Sequence, residues 1–176
     1  MKKYLKITIP ILVLGLLAFM GYKVISKINH KAAVAEHIKT IPLFSYPTIK
    51  GKLFSNTDLK ENIPTVFLYF NSECEHCQSE AEQIRDNIKK FASVQLVFIS
   101  FEEPKKIEGF ATKYKLIGYD KITFLCDKQV SFATTFDVNS LPTVVIYDKN
   151  KKLVEKIKGE VKIEKILSPL TPKGGI

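Results

Sequence analysis

The segment that most constrains the fold is Cys74-Glu75-His76-Cys77, which directly follows the apolar run Val66-Phe67-Leu68-Tyr69-Phe70. Past it, Cys77, Ala81, Ile84, Ile88 and Phe91 recur at helical spacing, while Glu80, Glu82, Gln83, Arg85, Asp86 and Lys89 take the remaining positions. The pattern predicts a buried strand at Thr65–Phe70 feeding an amphipathic helix over Glu75–Phe91. Cys74 then sits at the exposed helix start, where free N–H groups and the helix dipole favour a thiolate. Cys77 lies one turn in and is shielded. The expected chemistry is thiol–disulfide exchange through a short-range Cys74–Cys77 disulfide, with Cys74 the nucleophile and Cys77 the resolving thiol.

Other uses of a CxxC fit less well. A structural zinc site needs two more ligands, usually a second close pair, and Cys126, His30 and His37 are isolated. A c-type haem site needs His after the second Cys, and residue 78 is Gln. No metal and no cofactor are therefore expected. Cys126, ending the apolar stretch Ile122-Thr123-Phe124-Leu125, reads as a buried small hydrophobe.

Ile7 to Tyr22 is an uncharged run of sixteen residues, about 24 Å as helix against a hydrocarbon core of about 30 Å. Lys6 and Lys23 can snorkel and extend it to Tyr4–Ile25. The alternative is a cleaved signal peptide, but the only A-x-A site, Ala33-Val34-Ala35, lies more than ten residues past the apolar run. An uncleaved anchor over 1–25 is the favoured reading. Three lysines precede the span and three follow it, so charge barely decides orientation. A CxxC domain after a single N-terminal span suits an oxidising compartment, which puts it outside the cytoplasm, facing the periplasm or cell exterior.

The formal net charge of +9 would suggest nucleic acid until it is partitioned. Residues 1–31 hold six lysines and no acid, leaving 21 basic against 18 acidic residues, with Arg85 the only arginine. The bases form no stripe, and no nucleic-acid partner is expected. A polar helical stalk or linker is expected over 26–40, one domain over 41–168, and a Pro- and Gly-containing flexible tail over 169–176.

Within the domain the reading gives a short hairpin at Ile49–Phe54 turning at Gly51 and strands at Val94–Phe101 and Thr123–Cys126. Helices are expected from Pro104 to Tyr114, over Lys128–Phe136 behind the cap Asp127, and over Val161–Leu167. A hairpin joins Thr143–Tyr147 to Leu153–Lys158. This alternation predicts an α/β domain with helices on both faces of a mixed sheet.

CxxC at the end of the first core strand, Leu141-Pro142-Thr143 before the penultimate strand, and a closing hairpin and helix resemble the thioredoxin fold. Cys77-Gln78-Ser79-Glu80 is similar to the C-x-x-E continuation of the TlpA-like, membrane-anchored thioredoxins of bacteria, within the wider redoxin (AhpC/TSA-like) superfamily. The Cys74–Pro142 interval has room for their inserted strand–helix segment. The resemblance implies a cis Leu141–Pro142 bond facing the sulfurs, with Leu141, Pro142 and Thr143 binding clients. It also implies Glu80 as a carboxyl group serving Cys77. The activity implied is reduction of protein disulfides, including those of apocytochrome c, with electrons from a membrane thiol donor.

This chain departs from the pattern at Glu73, where Trp is usual, at Leu68, where thioredoxin has a buried Asp, and at Glu82, which replaces a helix-kinking proline. Glu80 read from the residues alone is a solvated first-turn acid. Glu73 and Glu75 should disfavour a Cys74 thiolate while a protonated His76 favours it, leaving a disulfide of intermediate oxidising power. A disulfide oxidase or isomerase is an alternative of the same chemistry. A thiol peroxidase would want Thr where Asn71 stands, and a copper-binding assembly factor would want wider cysteine spacing and a distant His.

Overall fold

The computed structural model describes residues 2–170, with side chains from residue 14 on and at residue 12. The chain divides into two units at His37. The first is helix α1 (Lys2–His37). Leu12, Leu14, Leu16, Leu17, Phe19, Met20 and Tyr22 are each more than half exposed on it. Among the described residues no helix is long and apolar enough to cross a membrane. Much of the run expected as an anchor, Ile7–Ile11 and Val13, lies outside the described side chains.

The second unit starts at Ile38, three residues before the expected Ile41. Ile38 is buried, its carbonyl accepts the Tyr147 hydroxyl at 2.9 Å, and Thr40 bridges to Lys152. The expected stalk over 26–40 is therefore continuous helix to His37 and domain from there on.

Among the described residues, seven strands and four further α-helices follow. The hairpin β1 (Ser45–Pro47) and β2 (Leu53–Ser55) turns at Gly51, whose φ of +82° suits glycine. Strand β3 (Thr65–Tyr69) is buried on both sides, as expected of a central strand. It pairs parallel with β4 (Gln95–Ser100) and antiparallel with β6 (Thr143–Tyr147). With β5 (Ile122–Cys126) and β7 (Leu153–Lys158) the sheet runs β5-β4-β3-β6-β7.

Side chains alternate across this sheet. Val66, Leu68, Phe70, Leu96, Phe98, Val144 and Ile146 pack on helices α2 (Glu75–Asp86), α3 (Pro104–Lys113) and α5 (Ile163–Leu167). Leu68 thus fills with hydrocarbon the place where a buried acid stands in thioredoxin. Across the sheet Phe67 and Tyr69 meet Phe132, Phe136, Tyr147 and Phe44 in an aromatic layer. Each such pair contributes about 0.5–1.5 kcal/mol beyond its buried area.

Boundaries differ from expectation where side chains intervene. Helix α2 ends at Asp86 because the Asn87 side chain donates to the Gln83 carbonyl at 2.9 Å; a 3-10 turn carries Ile88–Phe91. Helix α4 is only Ser131–Thr135. Asp127 still caps it, accepting from the Ser131 and Phe132 N–H groups at 3.0 and 2.8 Å, but from across a loop in which Val130 has φ +57°. Between α2 and Pro142 the chain runs β4, α3, β5 and α4, two strand–helix pairs in that interval. The last turn, Ser168–Leu170, holds the first residues expected in the tail; residues 171–176 lie outside those described.

Candidate active site

Strand β3 ends at Tyr69, and the loop 70–73 carries the chain over the sheet edge to Cys74, the N-cap of α2. This loop is held at three points. Asn71 accepts the Glu73 N–H on its side chain at 2.9 Å. Gln78 returns from the first helical turn to the Ser72 carbonyl at 2.9 Å. Buried Glu102, just past β4, accepts from the Ser72 N–H and hydroxyl and from the Ser100 hydroxyl.

Both active-site thiols are free, Cys74 half-buried and Cys77 buried at 3% exposure. The contrast in exposure expected from helix spacing is present, with Cys74 accessible and Cys77 shielded. Burial pushes the Cys77 thiol up, and the Cys74 thiol and the charge of Glu80 push the same way, while a backbone contact with Asn71 opposes them. The Cys74 sulfur faces the Leu141 carbonyl at 3.9 Å. Leu141–Pro142 is cis, as the resemblance implied. Pro142 is buried with its carbonyl taking the Gly159 N–H at 2.8 Å. Thr143 is buried too, and its hydroxyl donates to the Ser140 carbonyl, so of the three residues only Leu141 offers side-chain surface beside the sulfur.

Glu80 corrects the expectation from residues alone. Only 2% exposed, it shares the buried face of α2 with Cys77, Ala81 and Ile84. Burial first, then the nearby charge of Glu160, push its carboxyl up to about 8, against the opposing Val161 N–H. Its Oε1 has no hydrogen-bond partner. A buried carboxyl titrating near neutrality, one helical turn from a shielded thiol, is equipped to exchange a proton with it.

The charges flanking Cys74 are also placed differently from expectation. Glu73 is paired with Lys106 at 2.6 Å, which holds its carboxyl below the usual range. His76 projects to solvent and its Nδ1 lies 2.9 Å from Glu160. Glu75 is exposed in the first turn of α2. Cys126 is buried, donates to the Glu102 carbonyl at 3.0 Å, and is pushed up by burial, as expected of a structural thiol. Among the described residues no three His, Cys, Asp or Glu side chains are grouped to hold a metal. Glu102 and Glu160 escaped sequence reasoning, lying 28 and 86 residues beyond Cys74 with no motif around them.

Comparison with known proteins gives concordant matches. The model of the AhpC/TSA family matches residues 38–156. The thiol-disulfide oxidoreductase ResA of Bacillus cereus is 30% identical over 141 residues, covering 76% of this chain and 78% of that protein. Among solved structures, the peroxidoxin BcpB of Mycobacterium tuberculosis superposes with a TM-score of 0.64 at 24% identity, over 74% of this chain and 92% of that one. A secreted disulfide oxidoreductase of the same organism, homologous to E. coli DsbE, superposes with a TM-score of 0.62 at 19% identity, over 76% and 96%.

Proposed function

This chain belongs to the AhpC/TSA family and is a thiol–disulfide oxidoreductase of thioredoxin-like fold, and we propose that it reduces protein disulfides from the outer side of a bacterial inner membrane. The observation that carries the reducing mechanism is the pairing of a half-exposed Cys74 with a buried Cys77 that has Glu80 on its own helix face.

The Cys74 thiolate attacks one sulfur of a client disulfide; a Cys74–client bond forms and the other client sulfur leaves as thiolate. Cys77 then passes its proton to the Glu80 carboxylate and attacks the Cys74 sulfur. The client's second thiolate departs, and Cys74–Cys77 is left as a disulfide. Two electrons from a membrane dithiol donor restore the pair. Leu141 lines the client's approach, and apocytochrome c belongs to the client class.

Single-pass anchoring through 1–25 is part of the same reading. The apolar residues of α1 described between Leu12 and Tyr22 are exposed, and a helix apolar all round needs lipid or a protein core about it. Cys77→Ser, expressed in full length, should accumulate a Cys74-linked client adduct on non-reducing gels, in membranes that withstand carbonate washing. Adducts formed equally by Cys74→Ser would reverse the roles, and a soluble mature chain starting near Glu36 would remove the anchor.

A further inference from the structure

The connection from β7 to α5 carries a carboxylate that faces the CxxC helix, and nothing in the mechanism above uses it. Glu160 follows Gly159, whose φ of +78° lets the chain turn there and whose N–H is held by Pro142. From this position the Glu160 carboxylate accepts from three side chains of α2 on successive turns: His76 at 2.9 Å, the Ser79 hydroxyl, and Gln83 Nε2 at 3.0 Å. The next residue, Val161, directs its backbone N–H at the buried carboxyl of Glu80. One dipeptide thus grips the outer side of α2 and touches the group beneath it.

We propose that Glu160 is a positioning residue for the dithiol, acting through Glu80: its carboxylate, bonded to His76, Ser79 and Gln83 on either side of Glu80 along α2, sets how readily Glu80 takes the Cys77 proton. This rests on the proton role assigned to Glu80 above. The charge is fixed because the Ser79 and His76 donors hold the Glu160 carboxyl below its ordinary range. The groups facing Glu80 are few. From α2 there is Cys77; from the β7–α5 connection there are the Glu160 charge and the Val161 N–H. Lys162 lines the same cleft as His76, Gln83 and Glu160. Lys158 is turned to Asn139, and Lys90 to Glu164. The ionised neighbour that opposes loss of the Glu80 proton is therefore Glu160, and its removal has a defined sign.

The test is the titration of the Glu80 side-chain carboxyl by 13C NMR in the full-length protein, beside the pH profile for release of glutathione from Cys74 by Cys77. In Glu160→Gln the Glu80 midpoint should fall by roughly half to one pH unit. More Glu80 is then ionised at neutral pH, so release at pH 7 should be roughly two- to fivefold faster, with the profile displaced to lower pH. Glu160→Asp, which retains the charge, should keep a midpoint close to that of the natural protein; in Glu80→Gln the added Glu160→Gln change should not move the release profile. A Glu80 midpoint unmoved in Glu160→Gln, or moved equally in Glu160→Asp, overturns the proposal. Failure of the underlying reading has its own signature: a release profile unchanged by Glu80→Gln alone, whatever the NMR midpoint does.

Discussion

Ser72 is bound twice by Glu102: its N–H and its hydroxyl donate to the two oxygens of that buried carboxylate, at 2.6 and 2.7 Å. The contact ties the end of β4 to the loop that delivers Cys74, across 30 residues of chain. Charge-assisted bonds of this kind contribute about 1.5–3 kcal/mol, and a buried donor left without a partner costs about 1–3 kcal/mol. Glu102→Ala should therefore destabilise the domain by about 2–4 kcal/mol in urea unfolding and slow Cys74 attack beyond what the lost stability explains. Ser72→Ala removes one bond and should cost less than half as much. Equal effects of the two substitutions would show that the Ser72 hydroxyl bond alone carries what Glu102 contributes, and that its bond to the Ser72 N–H adds nothing.

The cysteines should separate cleanly in trapping. Cys74→Ser removes the accessible sulfur and should abolish both adduct formation and insulin-type disulfide reduction. Cys77→Ser leaves the attack intact and stops resolution, so an adduct with a model disulfide should persist for at least tenfold longer than with the natural protein. Rapid adduct decay in Cys77→Ser would point to a resolving thiol elsewhere.

Glu80 makes stability depend on pH with an unusual sign for an acid. Its folded-state midpoint, about 8, lies above the ordinary value of 4.5. Between those values the folded chain holds a proton that the unfolded chain has lost, so its contribution is full below about pH 4.5 and declines as pH rises towards 8. Glu80→Gln, which cannot ionise, should flatten that decline and be more stable than the natural protein at pH 8, by up to a few kcal/mol. Urea midpoints from pH 5 to pH 9 measure it, and parallel curves for the two proteins would show that Glu80 ionises freely in the fold.

Why Glu80 reads wrongly from the sequence is instructive. Positions 77, 80, 81 and 84 are separated by three and four residues, so Glu80 lies on the apolar stripe by spacing alone. A charge-based reading moves it to the wet face, yet an acid on an apolar stripe is itself a sign of a perturbed group. Strand β3, its CxxC and the cis Leu141–Pro142 were legible because each rests on local pattern or motif. Glu102 and Glu160 were not, since each meets the site through folding that brings distant loops against α2 and its entry. The contraction of α4 to Ser131–Thr135 also followed from a side chain, Asp127, whose reach across the Val130 loop no periodicity records.

Cys126 should be dispensable for electron transfer. Its thiol is buried and donates to the Glu102 carbonyl at 3.0 Å, a bond that serine can replace. Cys126→Ser should keep insulin reduction within twofold of the natural rate, at a stability cost of about 1 kcal/mol for the sulfur's lost apolar contact. A loss of turnover greater than tenfold with the fold intact would bring this thiol into the reaction.

The direction of electron flow depends on the charge around Cys74, and the structure changes the balance drawn from the motif. Glu73 is neutralised by Lys106 at 2.6 Å, and His76 is engaged with Glu160, so neither acts on the sulfur as an isolated charge. Glu75 remains exposed in the first turn as the acid opposing a thiolate. The Cys74–Cys77 couple should fall at roughly −180 to −270 mV, the span between isomerase and thioredoxin couples. Equilibration with glutathione or dithiothreitol buffers gives the value. Glu75→Gln should raise it by roughly 15–30 mV, 30 mV being about 1.4 kcal/mol for a two-electron couple. Lys106→Ala should lower it by uncovering the Glu73 charge, and His76→Ala should lower it less, because that ring is already held by Glu160. A natural couple more oxidising than about −150 mV, towards the DsbA end of the scale, would reverse the reading from reductase to oxidase, because the protein would then accept electrons from most client dithiols instead of supplying them.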